Sequence, residues 1–250
     1  MEWRDEGILL SARRHGETSV IIEVLTKAHG RHPGVVRGGA SRKMAPILQP
    51  GAILSLDWSA RLEEHLGNFR VDPLPARTAQ IMSNRAALAT LSSVTALISV
   101  SLAEREPHPW LYARTLELLT VLGASQDWPQ LYAAWELALL RELGFGLDLT
   151  KCAGTGTTAD LIWVSPKSGR AVSSEAGAPW SDKFLELPVF LRDGWESGDQ
   201  AQPSDLAAGF RLTGWFLDKW LAPTLNQERL PSARARAVES IQRGLNPQPA

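Results

Sequence analysis

Lys27, Arg31, Arg37, Arg42 and Lys43 lie in a window that contains no acidic residue between Glu23 and Asp57. Five fixed positive charges interleaved with glycines and prolines suit the binding of an anion, above all of phosphate oxygens, which attract lysine and arginine regardless of sequence. The plainer reading is a solvated face. The net charge of the whole chain is only -1, so any affinity for nucleic acid has to come from a local patch.

Other residue patterns with possible chemistry are weaker. Gly154 to Ala159, "GTGTTA", matches the G-x-G-x-x-A dinucleotide pattern. That fingerprint needs a strand before it and a helix after it, and here a helical pattern precedes and a hairpin pattern follows. No G-x-x-x-x-G-K-[ST] segment is present, so a nucleotide-dependent enzyme has no phosphate cradle of that type. His29 and His32 stand three apart as two turn histidines, with no Cys or His cluster to complete a tetrahedral metal site. His15, His65 and His108 are scattered, and no G-x-S-x-G elbow accompanies them. No catalytic constellation, cofactor or metal is expected. The lone Cys152 excludes an intrachain disulfide and fits a reducing, cytoplasmic setting.

These residues must be positioned by two halves of different periodicity. "GILLSARR", "SVIIEVLTK", "HPGVVRGG", "AILSLDWSARL" and "GNFRVDPL" read as short strands separated by glycine-rich turns, which predicts a small closed barrel over residues 1–78. After Pro75 the spacing becomes helical, with patterns over 76–106, 107–123, 128–146, 181–192, 204–221 and 232–245. Residues 147–175 interrupt the helices with a loop and a hairpin turning at Pro166–Gly169. The uncharged run from Ala86 to Ala103 carries serines and threonines and reads as a buried helix, not as a membrane span. The expected architecture is a barrel followed by a mostly helical domain, 79–250. Of the 10 tryptophans, only Trp3 and Trp58 fall in the barrel half, leaving these two and Phe69 to stack bases; most of the others read as core.

The segments "GILLSARRHGETSVIIEVLTKAHGRHPGVVRGGASRK", "LDWSARLEEHLGNFRVD" and "ELGFGLDLTKCAGTG" with "IWVSPKSGRAVSSEAGAPW" closely resemble, in order, the RecO family of bacterial recombination-repair mediators. The resemblance implies an OB-fold barrel joined to a helical domain, and a non-enzymatic protein associated with the nucleoid during repair. It implies binding to single- and double-stranded DNA, contacts with the single-strand-binding protein SSB and with RecR, promotion of RecA loading and annealing of strands. Under it, Arg31, Arg37, Arg42, Lys43 and Lys27 become candidate DNA contacts, with Gly30, Gly34, Gly38 and Gly39 allowing close approach of a phosphate backbone. A pure interaction adaptor without its own DNA affinity is the alternative. Many family members carry a four-cysteine zinc site in the helical domain; here Thr155 stands in the C-x-x-C partner position and "SSEA", Ser173 to Ala176, where the second pair would fall.

SSB tails are acidic and end in an apolar dipeptide. On "SDLAAGFRLTGWFLDKWLA", with Ser204 as N-cap, helical geometry sets Leu206, Phe210, Leu217 and Leu221 on a core stripe. It sets Arg211, Trp215 and Lys219 on the opposite side, a candidate tail site with Arg229, Arg234 and Arg236 as the fallback.

Overall fold

The computed structural model describes residues 1–75, 78–192, 200–225 and 230–245. The chain forms two compact units, Met1–Ala124 and Ser125–Ala250. The change of periodicity near residue 78 therefore falls inside the first unit.

In the first unit β1 (Glu2–His15), β2 (Ser19–Thr26), β3 (Gly30–Val36), β4 (Ile53–Ser59) and β5 (Asn68–Pro73) close a barrel in the order β1-β2-β3-β5-β4. All pairings are antiparallel except β3 with β5. This five-stranded Greek-key closure is the OB-fold arrangement. β1 is long because it serves two partners: Glu2 to Ile8 pairs β4, and Gly7 to His15 pairs β2 across a bulge between Leu9 and Ser11. Strand alternation sends Leu9, Val20, Ile22, Val24, Val36, Leu54, Leu56, Trp58 and Phe69 inward to one core. Between β3 and β4 a run of tight turns plugs the end of the barrel. Leu48 completes the core, with Met44 and Ile47 packed against it. We call residues 37–48 the cap.

The outer face of the barrel is not all solvent. Ile8, Ile21 and Leu25 are buried on the side away from the core, where α2 (Arg85–Ser101) packs on β1 and α3 (Pro109–Val121) packs on β2. The expected helix over 76–106 is divided: α1 spans Thr78–Ser83, and Asn84 then caps α2, its Oδ1 accepting from Ala86 N (3.0 Å) and Ala87 N (3.1 Å). An Asn that satisfies two otherwise orphaned amides starts a helix more strongly than the helical spacing alone would suggest. No described helix is long and apolar enough to cross a membrane.

In the second unit α4 (Trp128–Glu142) precedes a three-stranded sheet in which β6 (Leu161–Val164) lies between β7 (Ala171–Ser173) and β8 (Leu185–Glu186). The β6–β7 hairpin turns where the sequence predicts, with Gly169 N donating to Ser165 O at 2.8 Å. The 181–192 region is not one helix. α5 (Ser174–Gly177) leads into a 3-10 turn over Ala178–Lys183, then β8 and then α6 (Val189–Arg192), because Leu185 and Glu186 pair with β6 instead of winding.

α7 (Pro203–Phe216) is capped at Gln202 and not at Ser204. Pro203 occupies the first turn and the Gln202 amide donates to Asp205 Oδ2 at 3.2 Å. α7 runs into a π-helical turn, Leu217–Leu221, and then α8 (Ala222–Thr224); α9 spans Ser232–Leu245. α4, α7 and α9 are joined by a buried pair. Glu136 is fully buried and accepts from Arg234 Nε (2.7 Å) and Thr213 Oγ1 (2.6 Å), while Arg234 also donates to the Phe210 carbonyl at 3.0 Å.

Candidate nucleic-acid interface

The structure separates the five cations of the acid-free window. Arg37 follows the last residue of β3, and Arg42 and Lys43 lie in the turns of the cap; all three are exposed. Arg37 Nε donates to Asn68 Oδ1 at 3.1 Å, which orients the guanidinium and leaves its other donors outward. Arg42 and Lys43 have no carboxylate partner among the described residues, so their charge is available to a ligand. Lys27 is also exposed, but it sits in the β2–β3 turn at the opposite end of β3. Six residue steps of about 3.3 Å put roughly 20 Å of strand between the two ends.

Arg31 is no surface cation. Its side chain is 15% exposed and pairs with Glu23; it also reaches Glu104 at 3.7 Å, and its Nε donates to the Leu102 carbonyl at 2.8 Å. Ser99 Oγ of α2 donates to Glu23 Oε2 at 2.7 Å. The outer side of β2 and the start of β3 are thus closed by the unit's own helices. Arg31 is therefore left out of the interface.

The glycines serve packing rather than phosphate approach. A Cβ on Gly30 would stand 2.0 Å from Glu106 O, one on Gly34 2.5 Å from the Phe69 ring, and one on Gly39 3.0 Å from Val20 Cβ. Only Gly38 faces open space, with a positive φ of 71° that a side chain would strain.

Beside the cap runs a groove of about 1050 Å³. Val36, Arg37 and Met44 line it at the cap side, and Arg4, Arg70, Trp3, Trp58 and Phe69 are also among its lining. Arg4 pairs with Asp57, and Arg70 sits opposite Asp57 in the β4–β5 register. Arg4 and Arg70 stand outside the acid-free window, each close to acids in sequence. The signal that could have found them is period-two alternation on β1 and β5.

The barrel aromatics are engaged with one another. Trp3 stacks on His29 at 4.0 Å and on Trp58 at 5.6 Å, and His32 meets Trp58 edge-on at 4.9 Å. Trp58 is 2% and Phe69 3% exposed, so neither offers a ring face to a base. His32 is a strand residue of the barrel interior, not a turn residue. Burial, with Arg105 and His29 nearby, lowers its pKa to about 4 against the opposing Pro33 hydrogen bond. The β4–β5 loop is fixed by Trp58 Nε1 donating to Leu66 O (3.2 Å) and Arg105 donating to His65 O (2.9 Å).

On the second unit Arg211 is exposed and meets Glu186 at 3.4 Å; Trp215 is half-buried with its ring edge-on to Phe216 at 4.9 Å. Lys219 is exposed and lies in the π-helical turn that follows α7. Arg234 is committed to Glu136, Arg236 is exposed, and Arg229 lies outside the described residues.

The region where the family's zinc would sit is organised around Cys152. Its buried sulfur accepts from Ser173 N (3.3 Å) and Ser173 Oγ (3.4 Å), and Ala153 N donates to Ala171 O at 2.8 Å. Burial pushes the thiol up, but hydrogen bonds from Ser173 and Thr155 outweigh it and bring it to about 6. One sulfur among neutral hydroxyls does not fit a structural zinc site. Among the described residues no group of three or more His, Cys, Asp or Glu could hold a metal.

Barrels of the OB type bind oligonucleotides or oligosaccharides, and a cluster of exposed cations suits a polyanion. The family models Recombination protein O N terminal and Recombination protein O C terminal match residues 1–74 and 82–229. A DNA repair protein RecO of Cereibacter sphaeroides is 54% identical over 243 residues, covering 97% of this chain and 100% of its own. Those of Roseobacter denitrificans and Ruegeria are 54% identical over 245 residues and 51% identical over 243, covering 98% and 97% of this chain and 100% and 99% of their own. The chain belongs to the RecO family of DNA repair and recombination proteins.

Proposed function

We propose that this protein is a recombination mediator that binds single- and double-stranded DNA through the cap of its barrel. The observation that carries this reading is the exposed trio Arg37, Arg42 and Lys43, free of carboxylate partners among the described residues, on an OB-type barrel of a DNA repair family. Contact is made to phosphates, with Arg70 and Arg4 on the groove extending the track. Lys27 gives at most a separate, distal contact. The family context supports the finer roles: contacts with SSB and RecR, promotion of RecA loading on SSB-coated strands, annealing, a cytoplasmic location with association to the nucleoid during repair, and no enzymatic step.

The SSB tail would use Arg211, Trp215 and Lys219, with Arg211 exchanging Glu186 for a tail carboxylate. The pairing of Arg211 with a surface glutamate supports this, since it already makes the kind of contact an acidic tail would offer.

A titration of labelled naked DNA at several salt concentrations separates this reading from the adaptor alternative. A DNA-binding protein gives affinity that falls linearly in log–log form with salt. An adaptor gives no shift at any salt, and that result would refute the proposal.

A further inference from the structure

The fold places the β1–β2 hairpin beside the cap. Thr18 O, in the hairpin turn, accepts from Ala40 N of the cap at 3.0 Å, and Val20 pairs with Val36, the residue just before Arg37. Arg13 and Arg14 end β1 at this hairpin; both are exposed, and neither has an ion-pair partner among the described residues. They differ in direction. Arg14 pairs with Val20, which faces the core and meets Gly39 of the cap, so alternation puts Arg14 on the cap side. Arg13 pairs with Ile21 on the outer face, the side of β2 that α3 covers.

We propose that Arg14 is a phosphate-contacting residue continuous with Arg37, Arg42 and Lys43, so that the hairpin and the cap form one cationic surface for a nucleic-acid backbone. This rests on the DNA-binding reading above and adds a second element to it. Glu17 is the one acid in the hairpin turn, which leaves the local balance positive. No Phe, Tyr or Trp stands in the hairpin tip or in the cap, and His15 is the one ring there, so the surface reads chiefly charge and spacing. Arg13 is an internal control: same charge, same strand, next residue, opposite face.

The experiment compares Arg14→Ala, Arg13→Ala and Arg37→Ala/Arg42→Ala by fluorescence anisotropy over a salt series, on a labelled duplex of two unrelated sequences and on a single strand. Thermal melts verify folding. Arg14→Ala is expected to reduce the log–log salt slope by about 0.9 on duplex or about 0.7 on a single strand, equally for both sequences. Arg13→Ala should leave the slope as in the parent. A parental slope for Arg14→Ala while Arg37→Ala/Arg42→Ala still loses slope would overturn the hairpin proposal alone. Equal losses at Arg13 and Arg14 would also overturn it, since a general field would then explain both. Parental slopes in every variant would bring down the cap reading as well.

Discussion

Arg31 of β3 and Glu23 of β2 form an ion pair on the outer face of the barrel, with the pair held under α2 by Ser99 and the Leu102 carbonyl. A residue of the basic window is thereby a joint between barrel and helices. Arg31→Ala strands a largely buried carboxylate and should lower stability by roughly 3 kcal/mol, the low end for breaking a buried pair. Denaturant unfolding reads that loss, and the salt slope of DNA binding should be that of the parent. Arg42→Ala should show the converse: unchanged stability and a reduced slope.

The five strands of the barrel and the later hairpin were legible because alternation and glycine turns report strands directly. Arg31 was not. Charge runs in a sequence say nothing of partners, and Glu23 lies just outside the run while Glu104 comes from a distant segment. The glycines misled for a related reason: Gly30 and Gly34 answer to Glu106 and Phe69, contacts that exist only after folding.

The Glu136–Arg234 pair gives the second unit an equally specific anchor. Although burial opposes it, the Glu136 carboxylate holds Arg234 firmly in its charged form. Glu136→Ala leaves a guanidinium desolvated and should cost about 3–5 kcal/mol. A drop in the melting temperature of the second unit checks it, and a surface control at Arg236 should be neutral.

His32 makes stability fall in mild acid. Its folded pKa of about 4 lies below the ordinary 6.5, so the unfolded chain takes up the proton first. The contribution is complete above about pH 6.5 and is lost as pH falls toward 4, at most roughly 3 kcal/mol. Urea midpoints across this range should decline less steeply in His32→Phe than in the parent.

Cys152→Ser should be tolerated with a small stability loss, of order 1 kcal/mol, because Ser173 can donate to an oxygen as it does to the sulfur. Elemental analysis of the purified protein is expected to find no stoichiometric zinc. About one zinc per chain would require ligands other than the Cys152 cluster.

The central claim is that the cap cations bind the DNA backbone. The most direct measurement is the salt-dependent affinity of Arg37→Glu/Arg42→Glu for a labelled strand, with circular dichroism and a melt as folding controls. The account expects a folded protein, strongly weakened binding, and a log–log slope lower by about 1.4–1.8 for two lost contacts. Parental affinity and slope in the folded double variant would contradict it and return the basic window to a solvated face.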